Sequence, residues 1–148
     1  MTYARAALVV LLLPVAACQR ASTRRPATFE IQDAWVRAIP DSGGTTAGYI
    51  RLVNGTSHRI VVSRFVSDAA TAVELHETTI ARNGESRMAM LDSVAIPAGD
   101  TLSMQPGGYH LMVIGTVRPL IAGTNIRIAM HLSDGSIVST SARVKYRR

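Results

Sequence analysis

Lysine is almost missing from this chain: Lys145 is the only one, so nearly all of the formal +6 charge comes from arginine. The arginines of the body of the chain are scattered singly (Arg37, Arg51, Arg59, Arg64, Arg82, Arg118, Arg127), and aromatics make up only 5%. A basic balance without clusters or interleaved stacking rings excludes a nucleic-acid platform. Cysteine occurs once, at Cys18, which excludes an internal disulfide and leaves the rest of the chain without a thiolate. No segment carries long helical periodicity, and no repeat is evident. There is no nucleophile elbow, and Glu74, Glu77 and His76 do not amount to an acid–base pair, so no enzymatic activity is expected. What remains is a chain of 148 residues, 47% hydrophobic and 18% charged. That composition excludes general disorder and is enough for one domain with one core.

Residues 1–17 read as a signal peptide. Arg5 forms a short basic start, and an apolar run over residues 6–13 ends at Pro14. Such a run is too short to span a bilayer, which takes about 20 residues. The segment closes on Val15-Ala16-Ala17-Cys18, which resembles a bacterial lipobox. The resemblance implies that Cys18 is lipidated and becomes the mature N-terminus, exported and anchored to a bacterial membrane facing the periplasm or the cell exterior. Ordinary cleavage after Ala17 is the alternative. Residues 18–28 (CQRASTRRPAT) then read as a lipidated start followed by a flexible polar tether.

From Phe29 to the end at Arg148 the pattern is short alternating runs separated by turn residues, predicting an all-β domain. Strands are expected over 29–39, 47–53, 59–66, 73–81, 86–91, 94–96, 101–104, 109–114, 126–132 and 137–144. Asn54-Gly55, Asn83-Gly84 and Asp134-Gly135 are the turn signals. Spacing alone gives a Greek-key two-sheet sandwich as the default, with any binding site on loops at the strand ends.

The stretch Gly107-Gly108-Tyr109-His110-Leu111-Met112-Val113-Ile114-Gly115 is the most informative one. On a strand, His110 and Met112 share a face while Leu111 and Val113 take the other. Imidazole with thioether is a donor pair suited to Cu(I) and poorly suited to magnesium or calcium. More donors lie upstream: His76, and Met88 with Met90 on one face of a strand joined to the His76 strand by the Asn83-Gly84 hairpin. Pairing across that hairpin brings Met88 or Met90 level with His76, according to register. The competing account is that the methionines fill core gaps and the histidines satisfy backbone carbonyls. Met130 belongs to an aliphatic face and is expected in the core. His58 and His131 are expected at the surface, and Met104 fits either place.

His76, one residue, ten residues, Met88, twenty-one residues, then His110-Leu111-Met112: this spacing resembles that of the periplasmic copper chaperones called PCuAC. The flanks Ala34-Trp35-Val36-Arg37, Val73-Glu74-Leu75-His76-Glu77, Ile96-Pro97-Ala98-Gly99 and Pro106-Gly107-Gly108 extend the likeness over nearly the whole domain. The resemblance implies a cupredoxin-like β-barrel and a Cu(I) site made by His76, Met88, His110 and Met112, with Met90 as an auxiliary donor. It also implies delivery to a copper-accepting protein, such as the copper A subunit of cytochrome oxidase or a Sco-type protein. Glu77 stands where many members have methionine, and residues 141–148 lack the His/Met-rich tail that supplies some members with a Cu(II) site. The rival reading is a metal-free, lipid-anchored envelope module in which these side chains only pack.

Overall fold

The computed structural model describes residues 28–146; the signal peptide, Cys18 and the tether to Ala27 lie outside the described residues. Ten strands and no helix make up the described chain. They are β1 (Phe29–Arg37), β2 (Thr46–Asn54), β3 (Ile60–Ser67), β4 (Ala70–Ile80), β5 (Ser86–Leu91), β6 (Val94–Ile96), β7 (Thr101–Ser103), β8 (Tyr109–Thr116), β9 (Asn125–Leu132) and β10 (Ile137–Lys145).

The strands form one continuous sheet in the order β5-β4-β8-β2-β1-β10-β9-β3-β6, with β7 against β2, and a β3–β4 pairing closes it. Seven strands, β4-β8-β2-β1-β10-β9-β3, therefore form a barrel rather than the two-sheet sandwich that spacing alone predicts. Closure rests on one antiparallel pair, Phe65 opposite Val73. Every pairing is antiparallel except β1 with β10.

Alternation explains the core. Val36, Ile50, Leu52, Val62, Leu111, Val113, Ile128, Met130 and Val144 are fully buried side chains pointing inward from their strands. Met130 sits there as its strand pattern requires, and Met104, which fitted either place, joins the same core. His58 is exposed. The Asn83-Gly84 and Asp134-Gly135 turns join β4 to β5 and β9 to β10, with Gly84 and Gly135 at positive φ.

Asn54-Gly55 behaves differently, because β2 and β3 do not pair with each other. Asn54 is fully buried, and its amide Nδ2 donates to the carbonyls of His58, Ile96 and Pro97. Its polarity ties two loops to the end of β2 instead of turning a hairpin.

One glycine is constrained twice. Gly115 has φ +61°, and a Cβ there would collide with Thr71 Oγ1 of β4. Gly115→Ala is expected to cost on the order of 2 kcal/mol in strain. A reduced urea midpoint with an unchanged slope is the expected result; an unchanged midpoint would contradict the close approach of β8 to β4.

Candidate metal site

Three strands of the barrel wall, β5, β4 and β8, lie side by side, and their registers bring the donors together. His76 lies directly opposite His110 on β8 and opposite Met90 on β5. Met88 lies opposite Thr78, and Met112 lies opposite Glu74. Parity does the rest. Leu75 and Leu111 form the inward pair, so His76, His110, Met88, Met90 and Met112 all stand on the outward face. The site is therefore on the wall of the barrel and not on loops at the strand ends. Glu77 falls on the opposite face from His76, where it pairs with Tyr109. Partial burial, and secondarily the Glu77 carboxylate, push the Tyr109 phenol above its ordinary value.

The two imidazole rings lie 5.9 Å apart between centroids. Met88 reaches across from β5 to place its Sδ 3.2 Å from His110 Nε2. Thr78, the register partner of Met88, donates its N–H to the carbonyl of Gly108, two residues before His110. Met112 stands on the other side of the histidine pair, two residues along β8. Met90 flanks His76 laterally but is 59% exposed, and Met88 is 56% exposed. His110 is buried, and the His76 side chain is 15% exposed.

Hydrogen bonds fix which ring nitrogens are free. His110 Nδ1 lies 2.9 Å from the Gly108 carbonyl, so in a neutral ring Nδ1–H donates there and Nε2 carries the lone pair. That lone pair faces the lone pairs of a thioether, a contact that is repulsive unless a cation or proton lies between them. His76 Nε2 lies 3.0 Å from Glu74 Oε2, so Nε2–H donates to the carboxylate. His76 Nδ1 is then a lone pair, buried and without a hydrogen-bond partner. Each imidazole is held on one nitrogen by an oxygen acceptor and left with a bare nitrogen on the other, the arrangement that orients metal-bound histidine.

The spacing also fits. Tetrahedral bonds of about 2.0 Å to nitrogen and about 2.3 Å to sulfur put the two donors about 3.5 Å apart. The observed 3.2 Å needs only a few tenths of an ångström of opening. Among the described residues no group of three or more His, Cys, Asp or Glu could hold a metal ion. The face thus lacks a hard-ligand site, and its softness comes from the methionines. Glu74, as the partner of His76, is the residue that spacing did not single out for this role; the i, i+2 placement of Glu74 and His76 on a strand is the signal that shows it.

Residues 29–144 match the family described as "Putative lipoprotein LpqE-like". A curated relative, "Putative lipoprotein Lxx21020" of Leifsonia xyli subsp. xyli, is 35% identical over 116 residues, covering 78% of this chain and 69% of the relative. The solution structure of CuI-DR1885 from Deinococcus radiodurans is similar at 32% identity, covering 89% of this chain and 87% of that one, with a TM-score of 0.65. The copper-bound PCuAC domain from PmoF2 superposes with a TM-score of 0.66 at 19% identity, covering 80% of this chain and 93% of that one. At that identity the likeness shows the shared fold.

Proposed function

This chain belongs to the LpqE-like family and is a PCuAC-type protein with the cupredoxin-like β fold, and from that premise we propose that it is a copper metallochaperone. Its cargo is Cu(I), held by His76, Met88, His110 and Met112 with Met90 as an auxiliary donor. The copper passes to an extracytoplasmic acceptor such as the copper A centre of cytochrome oxidase or a Sco-type protein. The reading includes an anchor at Cys18, in keeping with the lipoprotein names of the family and the curated relative, and no catalytic step. One observation carries it: the bare Nε2 of His110 facing the Met88 thioether at 3.2 Å; the neighbouring His76 ring also keeps a buried, partnerless Nδ1.

Neutral imidazoles and thioethers bind Cu(I) without a thiolate, which would hold it more tightly and oxidise outside the cytoplasm. Met88 lies on the exposed side of the buried His110, so an incoming ligand meets the thioether first. Transfer then proceeds by ligand exchange, with Met88 leaving before the imidazoles.

Met88→Leu and Met112→Leu each keep side-chain volume while deleting a donor. Each is expected to weaken Cu(I) binding at least tenfold while leaving the melting temperature within a few degrees. A variant that unfolds with its affinity intact would return that methionine to a packing role. Acidification has its own expected outcome. A ligating imidazole must give up its proton, so Cu(I) affinity should fall steadily between pH 7.5 and 5. A flat profile in a chelator competition assay would count against both histidines.

A further inference from the structure

We infer that the cleft over Trp35 receives an acidic segment of the protein that accepts the copper, docking it beside the exchanged ion. The inference rests on the metallochaperone reading above and adds the surface that recognises the partner.

Trp35 is the only tryptophan of the chain. Its neighbour Val36 points into the core, so Trp35 stands on the outer face of β1. A β-bulge between Gln32 and Trp35 includes Asp33 at φ +50°, the one described non-glycine residue at positive φ. Such bulges re-aim a side chain at a local cost in strain. The indole stacks on Tyr49, with ring centroids 4.5 Å apart. Tyr49 is only 5% exposed although it lies outside the inner core cluster. Lys145 Nζ lies 4.4 Å from the centroid of the indole ring. Arg143 lies opposite Trp35, and Lys145 lies opposite Arg37. Trp35, Arg143 and Lys145, together with Pro106 and Tyr146, line a cleft of about 670 Å³.

The cations of this patch lack counter-charges. The ion pairs among the described residues are His76–Glu74, Arg87–Glu85 and Arg118–Asp68, none of which involves Arg37, Arg143 or Lys145. Arg37 Nε is buried without a hydrogen-bond partner. Residues 1–27 and 147–148 contain no Asp or Glu, so no side-chain carboxylate from them can supply the missing charge. An aromatic floor rimmed by unpaired cations is complementary to a chain carrying carboxylates and apolar groups.

Its position points to the copper acceptor. Tyr49 is next to Gly48, whose partner across the sheet is Leu111, next to His110. The turn before β8 serves both places: Pro106 lines the cleft, and the Gly108 carbonyl holds His110 Nδ1. A segment seated on Trp35 therefore rests against the turn that orients a proposed copper ligand.

The indole itself reports occupancy. Copper-free full-length protein is titrated with a synthetic Asp/Leu-rich peptide, with its Asn/Leu counterpart, and with vesicles of phosphatidylglycerol and phosphatidylcholine, while the Trp35 emission is followed. The acidic peptide is expected to shift the emission saturably and at least about tenfold more tightly than the neutral one, with the advantage lost in 0.5 M salt. Arg143→Glu combined with Lys145→Glu, both on exposed side chains, should abolish the response while Cu(I) affinity by chelator competition stays at the level of the unaltered protein. Equal binding of both peptides, undiminished binding by the charge-reversed variant, or a response to vesicles alone would overturn the inference. Absence of Cu(I) binding in the unaltered protein overturns the metallochaperone reading by itself, whatever the peptides do.

Discussion

His110→Ala is expected to lower Cu(I) affinity by more than about 100-fold, the largest binding effect of any single substitution in the site. Loss of a residue that merely orients a metal ligand costs about 10- to 100-fold, and His110 is proposed as the ligand itself. It is also the group against which Met88 is seated, at 3.2 Å. Its removal deletes one donor and unseats another. The Gly108 carbonyl loses its donor as well, a stability loss of about 1 kcal/mol that the barrel tolerates. Competition against a chromophoric Cu(I) chelator under reductant measures the affinity, and a thermal melt shows whether the variant is folded. A folded His110→Ala protein that binds within threefold of the original would remove His110 from the ligand set.

Leu111→Ala, one residue further along β8, is expected to do the reverse. Leu111 is completely buried between its register partners Leu75 on β4 and Gly48 on β2. Truncating such a leucine costs about 2–5 kcal/mol, through lost transfer energy and the cavity left behind. A domain of this size has only about 5–15 kcal/mol in hand, so the melting temperature should fall by roughly 10 °C. Cu(I) affinity of the folded fraction should be retained, since the outward face is untouched. If Leu111→Ala melts like the unaltered protein, the assignment of faces on β8 is inverted, and with it the placing of His110 and Met112.

The sequence makes that alternation visible because Gly107-Gly108 precede β8 and the pattern runs without interruption from Tyr109 to Ile114, ahead of Gly115 at positive φ. The pairing of His and Met on one face follows from a period of two and needs no tertiary information. The choice between Met88 and Met90 is different. Both occupy the same face of β5, and only the register of the Asn83-Gly84 hairpin decides which lies level with His76. Met90 is the one opposite His76, yet Met88 is the one that touches His110. That contact becomes legible only once β4 and β8 are known to be neighbours.

Barrel closure is illegible for a similar reason. It depends on the single pair Phe65–Val73 and on a parallel union of the first and last strands, neither of which leaves a mark in local patterning. The Asn54-Gly55 pair does turn the chain, Asn54 Oδ1 accepting from the Thr56 N–H, but no hairpin follows because β2 and β3 do not pair. The amide nitrogen of the fully buried Asn54 donates to the carbonyls of His58, Ile96 and Pro97.

The attachment of β5 has a consequence for kinetics. This strand is hydrogen-bonded to β4 alone, whereas β4 and β8 are locked into the closed ring. An edge held along one border opens locally at a small fraction of the global unfolding free energy, and its amides exchange correspondingly sooner. His76, His110 and Met112 thus belong to the slow-exchanging part of the molecule, and Met88 with Met90 to the fast part. At the proposed site, residence time of the ion would then be set by the breathing of one short strand, and the lifetime of the fold by the ring beneath it. The two clocks can be tuned separately.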